Sequence, residues 1–109
     1  MSYEPSRHLV TFNVAGFQFW DGALVLSKLA PGCKLDLVPE FDNPHDHEAV
    51  ALYIEGIKIG YVPAKINEFF STLAYFGHGD AFECRVLQVA PEKEPWEQVR
   101  VAIYVVDAR

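Results

Sequence analysis

The sequence predicts a mainly β fold of the α+β class, a small six-stranded β-barrel with two helices. The chain has 109 residues, of which half are apolar, and this size suits a single domain over residues 1–109 with one core. Six short stretches alternate apolar and polar residues, the period typical of strands. No strand–helix–strand rhythm is visible, and so many short strands in a small chain avoid exposed edges best by curling into a barrel.

The strands are predicted from this alternation and from the turn residues between them. Leu35 and Leu37, for example, flank Asp36 in the second strand. Glu55-Gly56 is a good two-residue hairpin turn, and Gly60 indicates a bulge or a close approach by another segment. The last strand would complete the barrel. The predicted strands cover residues 8–14, 34–40, 49–54, 57–62, 81–90 and 98–107.

Two helices are predicted between the strands. The first covers 22–29, after Asp21 as N-cap, and stops before Pro31-Gly32. The second follows Pro63, a residue suited to a first helical turn, and ends near Gly77. Its apolar residues recur at helical spacing; they are Ile66, Phe69, Phe70, Leu73 and Ala74.

Charge and cysteine content exclude several classes of protein. Nine Lys and Arg against fifteen Asp and Glu give a net charge of −6, which argues against non-specific coating of a phosphate backbone. Cys33 and Cys84 are too few and too far apart in sequence for a disulfide scaffold or a four-ligand zinc site. The N-terminus shows no signal-peptide pattern, and no apolar run approaches the ~20 residues of a membrane span. We therefore expect a soluble, cytoplasmic protein with no membrane partner.

The loop from Asp42 to Glu48 concentrates imidazole and carboxylate groups. Such groups suit zinc, nickel or non-haem iron, so a metal-dependent phosphoesterase is one hypothesis for this loop. Its weak candidate ligands are Asp42, His45, Asp46 and His47. The spacing matches no helix-based metal motif, and Asp and Asn also cap turns. No serine lies in a nucleophile elbow. We therefore expect a protein without catalytic activity, cofactor or resident metal.

Two further clusters suggest a binding surface. Phe17, Phe19 and Trp20 lie between Gly16 and Gly22; under strict alternation Phe17 and Phe19 would share one side, with Trp20 on the other. Exposed aromatic rings can stack on a nucleobase, although aromatic side chains more often fill cores. In the second cluster, residues 60–66 pass from a strand to a helix N-terminus, where Lys65 could add charge for an anion.

Together, these clusters resemble a HIRAN domain over about residues 8–90. The most specific part is Asp-Asn-Pro-x-Asp-x-x-Ala-Val followed by Gly-Tyr-Val-Pro. The matching segments are Val14-Ala-Gly-Phe-Gln-Phe-Trp-Asp-Gly22, Pro31-Gly-Cys-Lys-Leu-Asp-Leu37, Glu40-Phe-Asp-Asn-Pro-His-Asp-His-Glu-Ala-Val50 and Lys58-Ile-Gly-Tyr-Val-Pro63.

The resemblance implies an OB-like or SH3-like barrel that binds the 3′ end of single-stranded DNA, in a DNA repair or replication context. Phe19 or Trp20 would stack on the terminal base, Asp46 would accept from the 3′ hydroxyl and Lys65 would approach a phosphate. HIRAN domains also occur fused to translocases, so a translocase is a possible protein partner. The implied nucleic-acid-binding residues are Gln18, Phe19, Trp20, Asn43, His45, Asp46, Tyr61 and Lys65.

Three positions depart from the pattern of DNA-end-binding members. Gln18 and Ala64 stand where basic side chains are common, and His45 replaces an aromatic residue. Loss of the basic side chains would weaken phosphate contacts. The alternative function is therefore a protein-interaction module that keeps the fold without the DNA contacts.

Overall fold

Six β-strands and one α-helix make up the part of the chain that the computed structural model describes, residues 6–20 and 25–106. The six strands lie where the alternation predicts them. Short 3₁₀ turns separate several elements; they are Phe17–Phe19, Leu26–Lys28, Gly79–Ala81 and Pro95–Glu97. The main elements are β1 Ser6–Asn13, β2 Lys34–Pro39, β3 Val50–Ile54, β4 Ile57–Tyr61, α1 Asn67–Tyr75, β5 Phe82–Val89 and β6 Val99–Val106.

The strands form one antiparallel sheet in the order β1-β6-β5-β2-β3-β4. The prediction of a closed barrel is wrong. The sheet is open because β1 and β4, the strands at its two edges, do not pair along their lengths. One antiparallel bridge, between Ala15 and Tyr61, joins the segment after β1 to β4. Pairing stops there because Gly16, at φ 70°, turns the chain into the Phe17–Phe19 turn.

The prediction of two helices needs a correction, since the described residues contain one α-helix. Residues 22–24 of the predicted first helix and its Asp21 cap lie outside the described residues, and the remainder ends in the Leu26–Lys28 turn. Helix α1 begins at Asn67, four residues after Pro63, because residues 64–66 form a turn closed by the bond from the Ile66 N–H to the Pro63 carbonyl. None of the described helices is long and apolar enough to span a bilayer.

The core lies on the inner face of the curved sheet, where alternate strand residues are buried. Cys84 is part of it, and burial raises the pKa of its thiol to about 12, so it acts as a small apolar residue. Phe70 carries α1 into the core, with its ring centroid 5.1 Å from that of Phe82. The largest fully buried side chains are Phe17, Leu52, Ile59, Ile103, Val14, Val50, Val62, Val86, Val99 and Val101.

The β3–β4 hairpin contains both features that its sequence predicts. Glu55 and Gly56 have φ angles of 49° and 81°, as a tight two-residue hairpin turn requires. The register slips by one residue at Ile59, because Tyr53 pairs with Lys58 whereas Leu52 pairs with Gly60. Gly60 also allows a close approach, since a Cβ there would lie 2.5 Å from the Ala15 carbonyl oxygen.

Candidate nucleic-acid interface

A cleft of about 680 Å³ opens beside the Ala15–Tyr61 bridge, within the volume range of small-ligand sites. Its walls come from the segment after β1, the loop 40–49, the end of β4 and the start of α1. Much of the wall is apolar, with a few polar groups at one side. The lining residues are Ala15, Phe19, Trp20, Asn43, His45, Asp46, Ala49, Tyr61, Val62, Ala64 and Asn67.

The aromatic wall is formed by a 3₁₀ turn, so the alternation expected for residues 17–20 is wrong. A 3₁₀ turn has three residues per turn, which sends Phe17 and Phe19 to different sides. Phe17 is 2% exposed and belongs to the core, whereas Phe19 is 77% and Trp20 40% exposed. The Trp20 ring contacts Tyr61 edge to face, with 5.9 Å between ring centroids. Two partly free aromatic surfaces therefore face the cleft.

The loop 40–49 is shaped by the side chain of Asn43. Asn43 Oδ1 accepts the backbone N–H of His45 at 2.8 Å and that of Asp46 at 3.2 Å. Such bonds from an Asn side chain to the following backbone favour a tight turn. The Asn43 amide in turn donates to Glu40 Oε1 at 3.0 Å. The turn places both His45 and Asp46 on the cleft wall.

Asp46 is held from two elements. Its Oδ1 accepts the Glu48 N–H at 2.9 Å, within the loop. Its Oδ2 accepts Asn67 Nδ2 at 2.8 Å, from the first residue of α1. A carboxylate offers about four acceptor positions, so these two bonds leave acceptor capacity for a ligand.

An ion pair lies beside the aromatic wall. Lys58 Nζ donates to Glu40 Oε2 at 2.6 Å and to the Tyr61 hydroxyl at 3.1 Å, and the Tyr61 hydroxyl donates to Glu40 Oε1 at 2.9 Å. The same ammonium lies 4.1 Å from the centroid of the Trp20 ring, a cation–π contact. Glu40, Lys58, Tyr61 and Trp20 thus form one connected group.

The bulge in β4 makes this group possible. Residues three apart on a regular strand point to opposite faces, which would separate Lys58 from Tyr61. Because Ile59 is an extra residue, Lys58 pairs with Tyr53 and Tyr61 pairs with Ala51, two positions away. Lys58 and Tyr61 therefore share a face.

These contacts shift the pKa values of all three titratable groups. For Glu40, partial burial opposes ionisation, but hydrogen bonds from Lys58, Asn43 and Tyr61 outweigh it and lower the pKa. For Lys58, partial burial likewise opposes the charge, yet the bonds to Glu40 and Tyr61 raise the pKa. Burial, together with the Glu40 carboxylate, raises the pKa of Tyr61. The pair is therefore ionised at neutral pH, with a neutral tyrosine beside it.

Of the eight residues predicted for nucleic-acid binding, six line the cleft; these are Phe19, Trp20, Asn43, His45, Asp46 and Tyr61. Gln18 and Lys65 are exposed and lie outside the lining. Lys65 lines a separate shallow groove with Ile66 and Phe69. The cleft therefore gathers the predicted aromatic and loop side chains without the predicted cation.

Two of the four side chains proposed as weak metal ligands, Asp46 and His47, make hydrogen bonds within the protein. His47 Nδ1 donates to the Phe41 carbonyl at 3.2 Å, and both oxygens of Asp46 accept hydrogen bonds. Within residues 6–20 and 25–106, no three or more His, Cys, Asp or Glu side chains converge as a metal site would require. The geometry gives the phosphoesterase hypothesis no support.

Three polar or charged residues in or beside the cleft were missing from the sequence prediction: Glu40, Lys58 and Asn67. Glu40 and Lys58 each stand at the edge of a segment that carries the HIRAN resemblance, which was the available signal. Asn67 gave a weaker signal, a polar residue next to Ile66 at the start of the amphipathic helix.

Comparisons with known proteins agree with the resemblance. The HIRAN domain family model matches residues 8–106, whereas no curated protein matches the chain. A crystal structure of a protein from Lactobacillus plantarum superposes with a TM-score of 0.78 at 21% identity, covering 94% of this chain and 96% of that one. The HIRAN domain of human HLTF gives 0.69 at 13% identity, covering 95% and 82%. At these identities the structures show a shared fold.

Proposed function

Because this chain belongs to the HIRAN domain family, whose members are nucleic-acid-binding modules, we propose that it binds the 3′ end of single-stranded DNA in the cleft. The observation that carries this proposal is one cavity lined both by exposed aromatic rings and by the Asp46 carboxylate. Such binding requires no chemical reaction. By the same resemblance, the ends concerned would be those that arise in DNA repair or replication.

The aromatic wall supports recognition of a base. Phe19 and Trp20 both have accessible ring surface on the cleft, and stacking on an aromatic side chain contributes ~1–3 kcal/mol per base with little sequence preference. The ammonium of Lys58 beside Trp20 and the ring contact with Tyr61 hold that indole in place. A pre-positioned ring loses less entropy on binding.

The polar side of the cleft supports recognition of a free hydroxyl. Asp46 accepts two hydrogen bonds from the protein and retains acceptor capacity for a ligand O–H. A terminal phosphate at the same place would be repelled by the carboxylate. This combination favours an unmodified 3′ end through both attraction and exclusion.

The cations near the cleft indicate few phosphate contacts. The Lys58 charge is already neutralised by Glu40, and Lys65 lies outside the lining. Gln18 and Ala64 carry no charge. We therefore expect affinity from stacking and hydrogen bonding, with at most a minor contribution from Lys65.

The experiment compares short single-stranded oligonucleotides with a 3′ hydroxyl or a 3′ phosphate, by fluorescence anisotropy. Tighter binding of the free hydroxyl supports the proposal, and equal or absent binding of the two contradicts it. Asp46→Ala should lose the preference for the 3′ hydroxyl, whereas Lys65→Ala should weaken the binding of both oligonucleotides alike. Asp42→Ala is the matched control, because Asp42 is an exposed carboxylate of the same loop outside the cleft lining.

A second candidate, the protein-interaction module, is supported by an apolar surface on and near α1. Phe41, Tyr75 and Phe76 are all exposed, and the Tyr75 ring contacts the other two edge to face. A connected exposed apolar patch of this kind is typical of an interaction site. This surface is separate from the cleft lining. Phe76→Ser would therefore leave oligonucleotide binding unchanged, while weakening capture of a protein partner such as a translocase.

A further inference from the structure

Asn67 is a buried polar residue that lies on the cleft wall. It is 3% exposed and begins helix α1, and its amide donates to Asp46 Oδ2 at 2.8 Å. A buried amide is costly unless it is hydrogen-bonded. The contact with Asp46 therefore connects the packing of the helix directly to the orientation of a carboxylate in the loop.

Building on the proposed function, we propose that Asn67 is a positioning residue that sets the preference of the cleft for a free 3′ hydroxyl. It does so through Asp46. The bond from the Glu48 N–H fixes one carboxylate oxygen from within the loop, and the bond from Asn67 fixes the other from a different element. With both oxygens held, the carboxylate plane cannot turn to suit a different ligand.

The chemistry of the amide adds to this restraint. The Asn67 nitrogen can only donate, so it requires Asp46 to act as an acceptor. An acceptor carboxylate in a fixed plane binds a ligand hydroxyl and repels a ligand phosphate. A mobile carboxylate could instead turn away from a phosphate, so the preference between the two ends would shrink.

The test measures the ratio of affinities for 3′-hydroxyl and 3′-phosphate oligonucleotides in Asn67→Leu. We expect the ratio to fall by about 10-fold, the effect of one hydrogen bond to a charged group. Ser71→Ala is the matched control, because Ser71 is equally buried on the same helix but does not line the cleft. It should keep the wild-type ratio even if its Tm falls. Asn67→Ala, which adds no bulk beside Asp46, decides the question if the leucine variant does not fold.

A double variant distinguishes positioning from general destabilisation. In an Asp46→Asn background, Asn67→Leu should cause no further loss of end preference, since Asn67 acts through Asp46. A wild-type ratio in both Asn67→Leu and Asn67→Ala would overturn this inference and leave the proposed function standing. A wild-type protein without end preference would overturn the proposed function and, with it, the role of Asn67.

Discussion

The carboxylate of Glu40 accepts hydrogen bonds from three side chains that come from two parts of the chain. Asn43 donates from the loop, and Lys58 and Tyr61 donate from β4. The side chains of Glu40 and Lys58 are 18% and 16% exposed, so water screens this pair less than it screens a surface ion pair. At the scale of single residues, Glu40 thus connects the loop that carries Asp46 to the strand that carries Tyr61.

Replacing Glu40 with Gln should reduce stability at neutral pH and flatten its acid dependence. The pKa of Glu40 is lowered from 4.5 in the folded protein, so its stabilising effect is present above pH 4.5 and is lost as the pH falls through the lower folded-state pKa. We expect Glu40→Gln to lose about 1–3 kcal/mol at pH 7, and the gap to the wild type to narrow towards pH 3. Urea unfolding from pH 7 to pH 3 measures both quantities.

Glu55→Gln is the control for this experiment. Glu55 pairs with Lys28 at 3.5 Å, but both side chains are more than half exposed, and exposed ion pairs contribute little. The stability of the Glu55→Gln variant should therefore equal that of the wild type at every pH. Parallel acid profiles for Glu40→Gln and the wild type would show that the ionisation of Glu40 does not stabilise the fold.

At the scale of elements, the β3–β4 hairpin determines which side chains can meet. Because Ile59 is an extra residue in β4, the Lys58 side chain points to the same face of the sheet as Tyr61. In a regular strand the two side chains would point to opposite faces. Gly60, the next residue, leaves room for the Ala15 carbonyl. The bulge thus supports both the Lys58–Tyr61 contact and the bridge to the segment after β1.

Gly60→Ala should therefore destabilise the protein by about 1–3 kcal/mol, the usual range for overpacking. The added Cβ would meet the Ala15 carbonyl oxygen and Val14 Cγ1, each at 2.5 Å. Thermal unfolding measures the loss. Gly79→Ala is the control, because its Cβ would find Ala74 at an ordinary 3.8 Å. An equal effect of the two substitutions would contradict a specific role for Gly60.

The sequence predicts the strands well because alternation and turn chemistry are local properties. Glu55-Gly56, for example, specifies its hairpin with two residues. Sheet closure instead depends on segments that are distant in the sequence. Ala15 and Tyr61, the two residues of the bridge, are 46 positions apart by their numbers, and the turn at Gly16 ends the pairing there.

Six predicted site residues line the cleft because they lie within continuous motifs. The sequence did not indicate Lys58, because the direction of its side chain depends on the bulge. It did not indicate Asn67, because the contact of that residue with Asp46 depends on where the helix packs.

At the scale of the whole molecule, charge and cleft position together define the kind of binding to expect. The net charge is −6, and the lysine nearest the aromatic wall is paired with Glu40. A long DNA backbone would gain little from such a surface. A strand end that enters the cleft needs few phosphate contacts, so the acidic balance is compatible with end recognition.

Binding of a 3′-hydroxyl oligonucleotide should accordingly depend only weakly on salt. With at most one phosphate neutralised, by Lys65, the logarithm of the affinity should fall with the logarithm of salt concentration at a slope no steeper than about −0.7. Anisotropy titrations over a series of salt concentrations give this slope, and Lys65→Ala should flatten it further. A slope several times steeper would indicate that a phosphate-binding surface outside the cleft dominates.

The Ala15–Tyr61 bridge has a thermodynamic consequence. Two hydrogen bonds of 2.9 Å join these residues, and both residues also line the cleft. A ligand in the cleft therefore contacts the place where the two ends of the sheet meet. Occupancy of the cleft and separation of the sheet ends are linked equilibria, so a ligand that prefers the joined form suppresses local opening there in proportion to its saturation. Hydrogen exchange of the Ala15 and Tyr61 amide protons, which form these two bonds, would then measure the occupancy of the cleft.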